Sequence, residues 1–296
     1  MSTDRHSGTG LAYGLAAYVW WGMVPVFWKQ ITHIPAFELL GHRVVWGFCA
    51  FGAIAWMRGR WSDILTALRD RRTAGVIVLS ALLLACNWLT FIYAVATDRV
   101  LHASLGYFIN PIVSVLLGVL FLGERMRRSQ WVALLLAAAG VAQYAAQAEA
   151  LPWLSFVLAG SFGLYGLVRK TVRVDALPGS TLETLLMLPL GLAYLGVLAA
   201  RGQGYLFAAD GVTHGLLMAS GLIGALPLLW FTNAARRLPL YVLGFLQYLA
   251  PSLQFAVAVL LYDEPFNSTD LRGFVCIWVG LLLFSLDTWW ARRRRP

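Results

Sequence analysis

Long apolar stretches, separated by short connectors rich in polar residues, glycine or proline, run along almost the whole chain. A helix needs about 20 apolar residues to cross the hydrocarbon core of a membrane. Helices are also the structure expected there, because lipid offers backbone amides no hydrogen-bond partner. The pattern predicts an all-α integral membrane protein with ten transmembrane helices, near residues 10–30, 36–57, 73–96, 102–122, 129–147, 151–169, 179–200, 212–234, 241–262 and 271–290.

One polar connector, residues 58–72, is long enough to have structure of its own. Four apolar residues recur in it at helical spacing among charged residues: Trp61, Ile64, Leu65 and Leu68. An amphipathic segment of this kind is typical of a helix that lies in the membrane surface. We therefore expect a short surface helix between the second and third spans.

The composition supports a membrane protein and excludes other classes. Hydrophobic residues make up 59% of the 296 residues and charged residues 12%, whereas soluble domains carry roughly 25% charged residues. This excludes a soluble nucleotide-binding domain, a secreted disulfide scaffold and a disordered regulator.

The three cysteines lie in apolar stretches and are expected to be packing residues. The first apolar stretch is long for a signal peptide and no clear cleavage site follows, so we interpret it as the first span.

The distribution of basic residues predicts the orientation of the chain. Eighteen of the 23 Lys and Arg lie in the two terminal segments and in the connectors after spans 2, 4, 6 and 8, and four lie in the other connectors. Basic residues concentrate on the cytoplasmic side of membrane proteins. We therefore expect a multi-pass protein of a bacterial cytoplasmic (inner) membrane with both termini in the cytoplasm. Its basic residues would meet membrane lipids, and no nucleic-acid partner is expected.

The chain repeats itself at an offset of about 140 residues. Pro111 and Glu124 are thirteen residues apart, as are Pro251 and Glu264, and further matches follow in the same order along five spans. A duplicated unit with an odd number of spans must cross the membrane in opposite orientations. Inverted repeats are a signature of alternating-access transporters, which hold substrate near the midplane. The predicted units are a five-helix repeat at 1–147, an inverted five-helix repeat at 151–291 and a basic cytoplasmic tail at 292–296.

Six short motifs in the sequence are of a recognisable kind. They lie at 42–46, 87–88, 104–111, 122–125, 165–170 and 243–248. These motifs resemble those of the RarD family, which belongs to the EamA-type drug/metabolite transporter superfamily. The resemblance extends from about Gly14 to Asp287. In one departure, the second repeat has Asp263-Glu264-Pro265 where the first has Gly123-Glu124, but this difference lies in a connector and does not reach the expected substrate site.

The resemblance implies a fold and a function. The fold would be ten helices in two inverted five-helix repeats, around a central cavity lined mainly by spans 1, 3, 4, 6, 8 and 9. The function would be that of an inner-membrane permease, often an exporter, for a small organic solute such as an amino acid, a related metabolite or an amphipathic drug.

Arg43 is the first candidate for substrate binding. It lies within span 2 beside His42, and an arginine at the bilayer centre costs about 2.5 kcal/mol or more. Such a residue is expected to face a water-filled cavity, a partner or a substrate carboxylate. The alternatives are a side chain that reaches outward and a pair with Glu38. The equivalent positions of the second repeat are Met187 and Leu188, so the shared scaffold does not require the His–Arg pair.

Other polar and aromatic residues inside the spans are candidates for lining the cavity. Pro111 and Pro251 cannot donate a backbone hydrogen bond and are expected to break or kink spans 4 and 9 at corresponding depths, which points to a binding site. The alternative for the Asn and Gln residues is hydrogen bonding between helices. The predicted substrate-binding residues are His42, Arg43, Trp46, Asn87, Trp88, Tyr107, Asn110, Tyr165, Gln247 and Tyr248.

Two Lys–Glu sets flank short turns at opposite ends of the predicted bundle. Lys29 and Glu38 flank the turn between spans 1 and 2, and Lys170 and Glu183 flank the turn between spans 6 and 7. We expect each set to form a structural ion pair that holds its hairpin together. The alternatives are a pair of alternating gates and, for Glu183, a carrier of coupled protons.

The sequence lacks the common signatures of enzymes. It contains no GxxxxGK[ST], GxSxG or HExxH motif and no paired Cys/His cluster, so we expect no enzymatic activity, no cofactor and no metal. The predicted function is secondary transport, with a membrane-embedded enzyme or a lipid scramblase as the alternatives. Proton coupling is compatible with the sequence, because the ordinary pKa of a histidine such as His42 is near neutrality. A monomeric and a homodimeric state are both compatible with it.

Overall fold

The computed structural model describes residues 2–97, 99–146, 153–205, 210–263 and 268–293, and within these ranges all regular structure is helical. A short 3-10 turn, Lys29–Ile31, follows the first helix. The repeat residue Glu264 and the tail residues 294–296 lie outside the described ranges. The helices are α1 (Ser2–Trp28), α2 (Ala36–Met57), α3 (Trp61–Arg69), α4 (Arg71–Ala96), α5 (Val100–Leu122), α6 (Arg128–Ala145), α7 (Trp153–Thr171), α8 (Ala176–Ala200), α9 (Gly211–Ala235), α10 (Leu240–Gln247), α11 (Leu249–Leu261) and α12 (Ser268–Arg293).

Eight segments of the described chain are long and apolar enough to cross a membrane. They lie in α1, α2, α4, α5, α8, α9 and α12, and in α10 and α11 taken together. α6 and α7 occupy two further predicted spans but have only 18 and 19 residues. Polar residues at the start of α6 and along α7 dilute their apolar character. The all-helical, multi-pass membrane fold is therefore confirmed, and the count of ten spans stays a prediction.

The predicted surface helix is present as α3. Its Ile64 and Ala67 are buried against a cluster that includes residues of α4 and α8. Its Leu65 and Leu68 face outward and are 54% and 43% exposed. Two apolar faces on one short helix fit a position between the protein and the lipid headgroups.

The most extensive helix contacts join the first half of the sequence to the second. α1 packs on α9 and α11, and α7 packs on α4 and α5. α2 lies against α8 and α9, and α8 also contacts α4. α5 lies against α10, and α6 lies against α12. Because the halves interleave in this way, a cavity in the middle of the bundle is walled by both.

Glycines permit a close approach of α6 to α12. A Cβ atom at Gly140 would lie 2.6 Å from the carbonyl oxygen of Gly273, and one at Gly280 would lie 2.7 Å from the carbonyl oxygen of Ala133. Small residues are typical of helix interfaces in membranes, because lipid tails are as apolar as side chains and packing supplies the association energy.

Span 9 is divided into two helices. α10 ends at Gln247 and α11 begins at Leu249, with Pro251 in the first turn of α11. Proline has no N–H group to bond the carbonyl four residues earlier. For Pro251 that carbonyl belongs to Gln247, the residue at which α10 ends. By contrast, α5 continues through Pro111 without interruption. A break is therefore present in span 9, whereas span 4 is one continuous helix.

Candidate substrate site

A small cavity lies between α2, α4, α8 and α9. α2 and α9 cross closely beside it. The closeness is seen at Gly221, where an added Cβ atom would lie only 2.4 Å from the Cβ of Trp46. Helices of both sequence halves therefore form the wall. The residues that line the cavity are Arg43, Gly47, Phe51, Trp88, Thr184, Gly221, Gly224, Ala225 and Leu228.

Arg43 is the one ionisable residue among the described residues that line this cavity. Its guanidinium carbon lies 4.8 Å from the ring centre of Trp88 and 5.3 Å from the ring centre of Trp28. Its Nε is buried and has no hydrogen-bond partner. Within the described chain, Arg43 also forms no ion pair with a carboxylate.

Arg43 is partly buried, and the two indole rings compensate the desolvation of its charge only in part. Cation–π contact contributes about 0.5–2 kcal/mol, whereas an unpaired buried charge costs several kcal/mol. Gly224 provides the guanidinium with space, since a Cβ atom there would lie 3.1 Å from both Nε and Nη2 of Arg43. An arginine held in this way at membrane depth is expected where water or a ligand supplies the missing partner.

His42 belongs to a different cluster. It is 2% exposed, and its Nε2 lies 3.9 Å from Oε1 of Glu38. Glu38 also accepts a hydrogen bond from the backbone N–H of Tyr205. Consecutive residues of a helix point about 100° apart, so His42 turns away when Arg43 faces the cavity. The alternative in which Arg43 pairs with Glu38 is therefore wrong.

Two of the predicted site residues connect helices. Nδ2 of Asn87 donates to the carbonyl oxygen of Leu158 at 2.9 Å and to Oγ of Ser161 at 3.1 Å, which links α4 to α7. Oγ of Ser114 donates to Oε1 of Gln247 at 3.2 Å, which links α5 to α10. Bonds of this kind between membrane helices are worth about 0.6–2 kcal/mol. They favour the structural alternative for Asn87 and Gln247.

The other predicted residues are not among the residues that line the cavity. Asn110, Tyr165 and Tyr248 are buried, whereas Tyr107 is 39% exposed. The Cβ atom of Trp46 abuts Gly221, at the crossing of α2 and α9. From the predicted set, the structure brings two residues together in the cavity lining, Arg43 and Trp88.

The predicted pair of Lys170 with Glu183 is wrong. Nζ of Lys170 lies 3.6 Å from Oε1 of Glu124, and Glu183 instead lies 3.5 Å from Nε of Arg169. Arg169 and Lys170 are consecutive in α7, so only one of them can face α8. Arg169 does so because Gly179 leaves room for its guanidinium, which occupies the space of a Cβ atom at that position.

The predicted pair of Lys29 with Glu38 is wrong as well. Glu38 is 1% exposed, and its contacts are the Tyr205 N–H and His42. Nζ of Lys29 lies 3.4 Å from the ring centre of Tyr262. Lys29 is an exposed residue of the 3-10 turn, whereas Glu38 points into the bundle under the 204–205 backbone, so the two side chains diverge.

Several residues of the cavity wall carry no polar signal in the sequence. Phe51, Ala225 and Leu228 are indistinguishable from ordinary apolar span residues. Gly221 and Gly224 did offer a signal, because glycines three residues apart in a span place two small residues on one helix face. That spacing marks the face of α9 where α2 and the Arg43 side chain approach.

Comparisons with known proteins identify the family. Residues 8–144 match the EamA-like transporter family. The chain is 42% identical over 291 residues to Protein RarD of Salmonella typhi, covering 98% of this chain and 99% of that protein. It is also 42% identical over 288 residues to an uncharacterized transporter of Vibrio cholerae, covering 97% and 95%.

A comparison with solved structures finds a chain of similar fold. A solved crystal structure superposes with a TM-score of 0.73 at 19% identity and covers 95% of this chain and 98% of the other. At that identity the likeness concerns the fold alone. With a cavity between membrane helices and RarD relatives over nearly its whole length, this chain belongs to the RarD family of EamA-like proteins and is a multi-pass membrane transporter of the drug/metabolite superfamily.

Proposed function

We propose that the protein is a secondary transporter that exports a small organic solute by alternating access. The observation that carries this proposal is the cavity between the two sequence halves. It holds a cation, Arg43, that no carboxylate of the described chain neutralises. A solute that enters the cavity would supply the missing partner and leave when the halves rock to the other side.

The pattern of helix contacts supports two inverted five-helix repeats, 1–147 and 151–291. In this arrangement each helix of the first repeat corresponds to one of the second: α1 to α7, α2 to α8, α4 to α9, and α5 to α10 with α11. The contact α1–α9 then corresponds to α7–α4, and α1–α11 corresponds to α7–α5. The contact α2–α9 likewise corresponds to α8–α4. The contacts α2–α8, α5–α10 and α6–α12 map onto themselves. A two-fold relation of this kind is what inverted repeats produce, and it supports the proposal that α6 and α7 are spans five and six.

The proposed location is the inner membrane of a bacterium, with both termini in the cytoplasm. The asymmetry of Lys and Arg between the two sets of connectors supports this orientation. Transport would be driven by a gradient of the solute or of protons, because the sequence has no phosphate-binding loop of the Walker type.

The cavity chemistry disfavours a membrane-embedded enzyme. A nucleophile needs a base within hydrogen-bond reach, but the hydroxyl of Thr184, which lines the cavity, donates to the backbone carbonyls of Ser180 and Thr181 at 3.0 Å. His42, the nearest candidate base in sequence, pairs with Glu38 outside the lining. A lipid scramblase is disfavoured because a cavity this small offers no path for a headgroup.

Solute counterflow in proteoliposomes tests the proposal. Purified protein is reconstituted, loaded with one unlabelled candidate solute at a time, and exposed to the labelled solute outside. A transporter gives saturable, transient accumulation that protein-free liposomes lack. Conversion of the solute without accumulation would indicate an enzyme. Movement of a labelled lipid between leaflets, with no solute exchange, would indicate a scramblase.

A further inference from the structure

We infer that the transported solute is a small carboxylate with an apolar body, and that a free amino group is not needed for its recognition. The inference rests on the proposed function and names the substrate class of the same cavity. The hydrogen-bonding groups that face the cavity, the charges near it and its apolar wall support this substrate class.

The guanidinium of Arg43 offers hydrogen-bond donors without acceptors. Arginine carries five N–H donors in a planar fork, and none of those of Arg43 donates to an acceptor in the described part of the chain. Trp88 and Trp28 contact the guanidinium through their rings, which leaves its N–H edge for a ligand. A carboxylate matches this edge, because its two oxygens accept parallel hydrogen bonds from the fork.

The charges around the cavity disfavour a cationic group on the solute. No carboxylate is among the described residues of the lining. The two buried carboxylates of neighbouring segments have protein partners, since Glu38 contacts the Tyr205 N–H and Glu183 contacts Arg169. An ammonium group would therefore meet the positive charge of Arg43 without an anion of its own.

The remaining wall of the cavity restricts the rest of the solute. The free space is only about 10 Å³, about enough for one water molecule, so the surrounding helices must move apart before a solute occupies the site. The surfaces beside Arg43 include Phe51, Ala225 and Leu228, which offer apolar contact. This wall fits a hydrocarbon or aromatic body attached to one carboxylate.

Three probes of nearly the same size test the chemistry of recognition: benzoate, benzamide and benzylamine. Binding to the full-length protein in detergent is measured from the ligand-dependent rise in melting temperature. Benzoate should bind about tenfold or more tightly than the other two, because only it pairs with the Arg43 fork. Equal binding of benzamide, or tighter binding of benzylamine, would overturn the inference.

Substitutions at Arg43 test whether the carboxylate is held there. Arg43→Gln should abolish the benzoate-dependent rise, and Arg43→Lys should weaken binding, because lysine keeps the charge without the planar fork. Full benzoate binding by either folded variant contradicts the assignment. If neither variant folds, Gly224→Ala tests whether benzoate binds at Arg43.

Gly224→Ala places a methyl group 3.1 Å from Nε and Nη2 of Arg43, a distance that forces the guanidinium to shift. It should weaken benzoate binding about threefold or more, although alanine favours helix over glycine. Gly215→Ala, in the same helix, is the matched control because a Cβ atom there meets nothing within 4 Å. Unchanged binding in Gly224→Ala, or an equal loss in both variants, would count against the site.

The same probes distinguish a failure of this inference from a failure of the proposed transport. Saturable counterflow of another solute, with no binding or exchange of benzoate, refutes the carboxylate and leaves the transporter standing. Arg43-dependent binding of benzoate without exchange of any solute supports the carboxylate site and refutes transport. Exchange of benzoate that Arg43→Gln abolishes supports both.

Discussion

Glu183 shows how a charge can be held inside a membrane protein. It has no solvent exposure. Ser80, from the first half of the chain, donates to one of its oxygens, and the hydroxyl of Tyr165 donates to the other at 3.2 Å. Nε of Arg169 lies 3.5 Å away, and this arginine leaves Nε and Nη1 without hydrogen bonds. In this arrangement Glu183 is the counter-charge of Arg169, a role that does not require proton transfer.

The first prediction is that Glu183→Gln destabilises the protein without changing the pH dependence of transport. The substitution leaves Arg169 buried without a counter-charge, at a cost of about 3–5 kcal/mol, which lowers the melting temperature. The double variant Glu183→Leu with Arg169→Met removes both charges and should restore much of the stability. Wild-type stability together with pH-independent counterflow would show instead that Glu183 carries a coupled proton.

At the residue scale, the sequence identifies which side chains are costly to bury but not the direction in which they point. His42 and Arg43 are neighbours, yet one pairs with Glu38 and the other lines the cavity. Arg169 and Lys170 diverge in the same way. Each residue turns a helix by 100°, so an error of one position in alignment exchanges partners. The Lys170–Glu183 pair was mispredicted for this reason.

At the scale of helices, one joint holds the turn between α9 and α10. Glu124 accepts hydrogen bonds from the backbone N–H groups of Leu240 at 2.7 Å and Tyr241 at 3.0 Å, at the start of α10. Lys170 donates to the carbonyl of Ala235 at 3.3 Å and to that of Leu238, at and just after the end of α9. An anion at a helix N-terminus and a cation at a helix C-terminus each interact favourably with the helix dipole.

The second prediction concerns this joint. Glu124→Ala removes the acceptor of two N–H groups at the start of α10 and the partner of Lys170. It should lower stability by about 0.5–2 kcal/mol, the range for loss of a helix cap. Arg125→Ala is the matched control, since Arg125 is exposed and has no hydrogen bond or ion pair in the described chain. Equal melting temperatures for the two variants would contradict a role for the joint.

The third prediction concerns the contact of α3 with the turn before α8. Hydrogen bonding from Arg60, and the charge of Arg236, lower the pKa of Asp175 below its usual value. A lowered pKa stabilises the fold above the unfolded-state pKa of about 3.9, and this contribution is lost as pH falls through the folded-state value. Asp175→Asn should therefore cost less than about 1 kcal/mol near pH 7. The difference from wild type in thermal unfolding should shrink below about pH 4. A pH-independent difference would show that charge is not its cause.

At this scale, the sequence predicted the helices well and their interruptions only in part. Apolar length and the amphipathic pattern of residues 58–72 are local properties, so α3 and the main spans lie where expected. The effect of a proline is not local. Pro251 accompanies the division between α10 and α11, whereas α5 continues through Pro111. At Pro111 the neighbouring helix is closely packed, since a Cβ atom added to Gly244 would lie 2.8 Å from the Pro111 carbonyl oxygen.

At the scale of the whole molecule, composition predicts a membrane protein and the motifs predict its family. The repeat leads to the expectation of a cavity between two halves. The position of that cavity depends on which helices cross closely, and this depends on side-chain volume at points such as Gly221 against Trp46. Those contacts join residues that are far apart in sequence, so a single sequence does not reveal them.

Orientation in the membrane belongs to this scale and is the subject of the last prediction. The connector that contains α3 carries five of the 23 basic residues, and basic connectors remain in the cytoplasm. In the proposed topology, five spans separate this connector from the one between α8 and α9. Because five is an odd number, the α8–α9 connector should face outward. Ser62 and Gln203 are exposed residues of these two connectors, so they provide a matched pair of labelling positions.

We expect Gln203→Cys, and not Ser62→Cys, to react with an impermeant maleimide in intact cells. Both variants are made after replacement of Cys49, Cys86 and Cys276 by serine, because two of these are exposed on the bundle surface. Permeabilised cells supply the control, in which both positions should react. Labelling of Ser62→Cys alone in intact cells would show that the topology is the inverse of the proposed one. The start of α2 would then lie on the cytoplasmic side. Arg43 would lie nearer to that side as well, because it is within about the first two turns of α2.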